Sequence, residues 1–86
     1  MKFDIESFCR LFRSWLRKNG KSLYTIYFYS NKARQFYEMF RTLNIGIDVL
    51  ERYLREKGYS EKTIRGYKSA YRIMRRFIEE TGVDVA

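Results

Sequence analysis

A shift of 38 residues lays positions 15–34 onto positions 53–72 with eight of twenty residues identical, and this internal repeat constrains the fold more than any other feature of the chain. The identical pairs are Leu16/Leu54, Arg17/Arg55, Gly20/Gly58, Ser22/Ser60, Thr25/Thr63, Ile26/Ile64, Tyr29/Tyr67 and Arg34/Arg72. Turn glycines and capping serines recur together with the apolar residues, so what repeats is a local grammar of helix, tight turn and helix. One hairpin falls at 4–42 and the other at 48–80, within a single domain covering 1–86.

The first expected helix, 4–19, carries Phe8, Leu11, Phe12, Trp15 and Leu16, one apolar stripe of a 3.6-residue period. Asp4 is placed to cap it, Phe3 to staple against Phe8, and Gly20 to supply the left-handed residue that ends it. Cys9, at helical spacing from Phe12 and Leu16, reads as a half-buried small hydrophobe without a partner for a disulfide. Ser22 caps a second helix, 22–42, whose buried stripe is Ile26, Tyr29, Ala33, Phe36, Tyr37 and Phe40; the break falls at 44–46. Asp48 and Glu51 have the spacing of a capping box for a third helix, 48–57, which buries Leu50, Tyr53 and Leu54 and stops at Gly58. Ser60 caps the fourth, 60–80, with Ile64, Tyr67, Tyr71, Met74, Phe77 and Ile78 turned inward. Residues 24–29 are β-branched and aromatic enough to suit a strand, but their repeat counterpart lies in a strongly helical pattern and the helical period continues through Phe36 and Phe40. The expectation is an all-α domain of four helices in two related hairpins.

Eighteen Lys and Arg against ten Asp and Glu leave a net charge of +8, which favours a polyanionic partner, duplex DNA before acidic lipid. The chain has no histidine, which removes imidazole acid–base catalysis, the Ser-His-Asp and Cys-His pairs and the usual histidine metal sites; neither cofactor nor metal is expected. Eight tyrosines do not supply a nucleophile by themselves, because a phenol of pKa about 10 needs an activating cluster. The longest uncharged stretch, 22–31, is too short and polar to span a bilayer, and no basic-then-apolar leader opens the chain. With a single cysteine, a reducing cytoplasmic setting is expected.

On the fourth helix Lys62, Arg65, Ser69, Arg72 and Arg76 fall at steps of three, four, three and four, a stripe opposite the buried one and flanked by Lys68 and Arg75. Residues 60–78 contain six basic residues and one acidic one, Glu61, whereas a solvated helix face ordinarily mixes signs. Phosphates would relieve that repulsion, with Gly66 and Ser69 leaving room for a backbone or base edge; a merely solvated basic face is the plain alternative. The equivalent positions of the second helix are Tyr24, Tyr27, Asn31, Arg34 and Glu38. Tyrosines and Asn31 suit sugars, thymine methyls and base edges, while Lys21, Lys32 and Arg34 suit nearby phosphates. Tyr24, Tyr27 and Phe28 are equally suited to packing on another helix or on a second copy of the chain. Arg10, Arg13 and Arg17 add a lighter basic row on the first helix.

These residues resemble the core-binding domain of tyrosine recombinases, the phage and archaeal integrase family, over nearly the whole chain. The first hairpin matches through Trp15-Leu16, Gly20, Ser22, Thr25-Ile26, Tyr29 and Phe36; the second through Tyr53-Leu54, Gly58, Ser60, Thr63-Ile64 and Ser69-Ala70-Tyr71-Arg72, the last similar to the family's Ser-Ala-Leu-Arg. The resemblance implies a four-helix module forming half of a C-shaped clamp on duplex DNA, its second and fourth helices across the major groove near a recombination core site. It also implies that Ser22, Thr25, Ser60 and Thr63 face phosphate at helix N-termini and that Lys62, Arg65, Ser69 and Arg72 face the groove. The family's catalytic domain, with its Arg, Lys, His and Tyr constellation, has no counterpart in these 86 residues, so the expected role is binding without strand cleavage. The chain would then be a domain of a longer integrase, joined to a catalytic domain, or a small free-standing binder; monomer and dimer both stay open. A helix-turn-helix regulator and a protein-interaction module using the aromatic patch are the alternatives.

Overall fold

The computed structural model describes residues 1–86 and contains four helices, α1 (Ile5–Lys18), α2 (Leu23–Phe40), α3 (Ile47–Glu56) and α4 (Glu61–Thr81). A two-residue strand lies at each end of the chain, β1 (Lys2–Phe3) and β2 (Asp84–Val85). The domain is all-α, and each helix boundary lies within two residues of its sequence-based position.

Capping chemistry explains three of the four helix starts. Asp4 accepts the Ser7 amide at 3.1 Å, and Ser22 and Ser60 each accept an amide three residues on, from Thr25 and Thr63, at 3.2 Å. In both hairpins the serine hydroxyl also donates to that threonine's Oγ1, at 3.0 and 3.1 Å. Gly20 and Gly58 end the inter-helix turns at φ 76° and 87°, the left-handed region where a side chain would be strained.

The start of α3 departs from the expected capping box. Gly46 is the N-cap, without a side-chain bond, while Asp48 sits inside the first turn and Glu51 turns to basic partners. The Asp48 carboxylate folds back over Gly46, its Oδ1 2.7 Å from where a Cβ would stand, an exposed side-chain end that could swing aside. An acidic group in the first turn complements the helix dipole without a direct cap.

α1 packs on α2 and α3 on α4, and the two hairpins join along α2 and α4. Phe36 of α2 lies 5.8 Å from the ring of Tyr67 and 6.2 Å from that of Tyr71, while the Tyr67 hydroxyl donates to Gln35 Oε1 at 2.7 Å. α1 reaches α4 through Phe77, against which Phe8, Phe12 and Trp15 gather at 5.1–5.4 Å between ring centroids. Tyr29, Tyr37, Phe40, Tyr53 and Tyr71 are half-buried and pack at the edge of this core rather than inside it. Cys9 is fully buried, not half-buried: its thiol donates to Ser30 O at 3.7 Å, and burial pushes the thiol pKa up, keeping it protonated and unreactive.

The segment between α2 and α3 begins with Arg41 at φ 59° and is held to α4, by the Tyr71 hydroxyl donating to Ile45 O and by Arg75 donating to Leu43 O at 3.3 Å. β1 and β2 pair in parallel, Lys2 opposite Asp84 and Phe3 opposite Val85, which places Phe3 in a strand as well as ahead of the α1 cap. No helix is long and apolar enough to cross a membrane.

Candidate nucleic-acid interface

Lys62, Arg65, Ser69, Arg72 and Arg76 are all exposed along α4, as their spacing requires. Their electrostatic state is less uniform than the sequence suggests. Lys68 is paired with Glu51 at 2.7 Å, Arg75 is spent on Leu43 O, and Arg76 bonds Glu80 at 2.9 Å while lying 5.8 Å from the Trp15 ring centre. Ion pairs thus compensate two of the six charges and Arg75 is engaged by a neutral carbonyl, while Lys62, Arg65 and Arg72 carry no ion pair or hydrogen bond within the protein. The two carboxylates lie on α3 and at the end of α4, outside the window in which the signs looked unbalanced. The free cations span about 15 Å of helix, and Glu79 and Glu80 close the stripe beyond them.

On α2, Tyr24 is 77% exposed, Tyr27 49% and Asn31 exposed, so the aromatic and amide face is in the open. Arg34 is not available to a phosphate: its two Nη atoms grip both carboxylate oxygens of Glu6 at 2.5 Å, holding the Glu6 carboxyl below its ordinary pKa range. Lys32 is half-buried, its ammonium 4.0 Å from the Tyr67 ring centre and 5.3 Å from that of Phe28, with Gln35 Oε1 at 3.4 Å; burial lowers its pKa. Lys21 is exposed ahead of α2.

The Phe28 ring borders the room that Gly66 leaves. It lies 3.5 Å from where a Gly66 Cβ would be, an ordinary van der Waals contact, so the ring flanks that space without filling it. Ser22, Thr25, Ser60 and Thr63 are engaged in the two caps, which leaves their part in anion contact to the outward hydroxyl hydrogens of the threonines.

Phe28 joins the two faces into one surface. It borders a groove of about 490 Å³ with Leu23, Tyr24, Tyr27 and Asn31, and a second of about 350 Å³ with Lys32, Lys62, Thr63 and Gly66. Lys32, Lys62, Thr63, Tyr24, Tyr27 and Asn31 are thus brought together across the α2–α4 seam, while Arg34 and Arg76 are withdrawn into ion pairs. Arg13 of α1, from the lighter basic row, joins this surface: it donates to Ser30 Oγ at 2.9 Å and stands 5.8 Å from the Tyr27 ring centre. Its row of arginines at steps of three and four was the available signal. The arrangement offers fixed cations beside exposed rings, suited to anchoring phosphate and packing sugars or bases.

No protein-family model, no curated protein and no solved structure matches this chain.

Proposed function

We propose that this chain is a non-catalytic duplex-DNA-binding module that anchors phosphates with α4 and contacts base edges and sugars with α2. The observation that carries the reading is the line of three unpaired cations, Lys62, Arg65 and Arg72, beside a seam bordered by Lys32. Free cations on one face are the groups that counterion release rewards. The sequence resemblance to the core-binding domain of tyrosine recombinases supports the same reading and adds a context, DNA held near a recombination site in the cytoplasm, with strand cleavage supplied by a catalytic domain.

Binding to a labelled duplex, followed by anisotropy over a range of salt, tests it. With Lys21, Lys32, Lys62, Arg65 and Arg72 neutralising about five phosphates, log affinity falls against log salt with a slope of about −4 to −5. Replacing Arg65 and Arg72 together by alanine flattens that slope by about 1.8. A flat response in the parent favours the second reading, a protein-interaction module, to which the exposure of Tyr24 and Tyr27 lends support.

A further inference from the structure

We infer that the α2 half of this surface takes unpaired bases, so that the module prefers DNA carrying a short single-stranded gap over continuous duplex. The inference rests on the DNA-binding reading above and narrows its substrate.

Duplex phosphates are recognised by cations, yet the larger groove, between Leu23, Tyr24, Tyr27, Phe28 and Asn31, is lined by no charged residue. Tyr24 and Tyr27 are presented outward and Phe28 is half-buried beside them: Tyr24 and Phe28 lie with centroids 6.0 Å apart and planes only 17° from parallel, and Leu23 is 64% exposed. In a continuous duplex the base faces are covered by their neighbours, and such rings meet only sugars and methyl edges. An unpaired base presents a π-face that stacks on aromatic side chains whatever its identity.

What surrounds the groove fits a strand rather than an apolar protein partner. Phe28 is the shared wall between the rings and the neighbouring groove, where Lys32, Lys62 and Thr63 line the far side. Arg13 stands at the ring of Tyr27 on the opposite flank. Cations on both sides of an aromatic ledge are the combination that tracks a sugar-phosphate backbone while its bases stack. The same cations, on a chain of net charge +8, oppose closure of the patch by a second copy. Asn31 at the groove's edge adds an amide able to donate to or accept from a base edge without requiring one base.

The test compares three labelled probes of equal length at one salt concentration: a continuous duplex, the same duplex with a short gap exposing thymines on one strand, and single-stranded oligothymidine. The gapped probe is expected to bind about tenfold more tightly than the continuous one. Tyr24→Ala with Tyr27→Ala removes that advantage, weakening the gapped probe about tenfold more than the continuous duplex, and leaves the salt slope unchanged because both side chains are uncharged. Tyr24→Phe with Tyr27→Phe keeps the rings and keeps the advantage. Equal binding of gapped and continuous duplex by the parent overturns the inference and leaves duplex binding standing, as does an advantage that survives the double alanine variant. Failure of all three probes to bind overturns both readings.

Discussion

α2 and α4 begin alike and diverge on their outward faces. Each starts after a glycine turn, with a serine capping the amide of a threonine three residues on and an isoleucine buried next to it. Beyond that shared frame, Tyr24 stands where α4 has Lys62, Tyr27 where it has Arg65, Phe28 where it has Gly66 and Asn31 where it has Ser69. The Phe28/Gly66 exchange brings the repeats side by side: the ring from one lies 3.5 Å from where a Cβ would stand on the other. Most instructive is the pair that did not change. Arg34 and Arg72 are identical in sequence, yet Arg34 is locked to Glu6 in the first turn of α1 while Arg72 is free. α1 has 14 residues and α3 only 10, so the second hairpin lacks the turn that would carry the matching carboxylate. A shorter α3, not a different arginine, is what leaves Arg72 available to a ligand.

The comparison can be broken in several places. The largest effect is expected at Phe36, which joins the hairpins through Tyr67 and Tyr71; Phe36→Ala should cost about 3–5 kcal/mol in chemical denaturation, and a small loss would mean that the repeats do not depend on this seam. Gly66→Ala should act in the opposite direction, stabilising α4 by up to about 1 kcal/mol through helix propensity. Its added Cβ makes an ordinary 3.5 Å contact with Phe28, so duplex affinity should stay unchanged. A loss of binding in this variant would mean that DNA, not Phe28, needs the space.

The matched arginines then separate by salt titration. Arg72→Ala should flatten the slope by about 0.9 and Arg34→Ala should leave it where it is. Equal effects would show that the Glu6 pair opens when DNA arrives. The smallest effect is on acid stability. Arg34 holds Glu6, and Lys68 with Arg55 hold Glu51, below the ordinary value of 4.5. Their folded pKa values are depressed, so the stability they add is complete above the unfolded pKa and is lost as pH falls through the folded ones. Denaturation midpoints below pH about 4.5 should therefore decline less in Glu6→Gln and Glu51→Gln than in the parent, from a lower starting point.

Much of this architecture is legible before any coordinates, because capping and periodicity are local. Asp4, Ser22, Ser60, Gly20 and Gly58 mark helix starts and turns from within a few residues of themselves. Several of the misreadings involve distance. Arg34 finds its partner 28 residues away and Lys68 finds Glu51 17 residues away, whereas the Arg76–Glu80 pair is local, with Glu80 just past the stretch whose charges were counted. That Phe28 of another helix flanks the space at Gly66 has no signal in the local sequence. Asp48 and Glu51 have the spacing of a capping box, but Glu51 is drawn instead to Arg55 and Lys68, and a glycine two residues earlier takes the cap. Strands of two residues leave no periodicity to read, so the β1–β2 pair had no local signal.

That pair gives the molecule a mechanical direction. Because β1 and β2 run parallel, Met1 lies at one end of the pairing and Ala86 at the other. Tension drawn between the chain ends slides the two strands past each other instead of peeling them apart. The bonds from Asp84 N to Met1 O, from Ala86 N to Phe3 O and from the Met1 ammonium to Gly82 O are then stretched together and must give way at once. A pull transmitted through either terminus meets this clasp before it can reach the helices behind it.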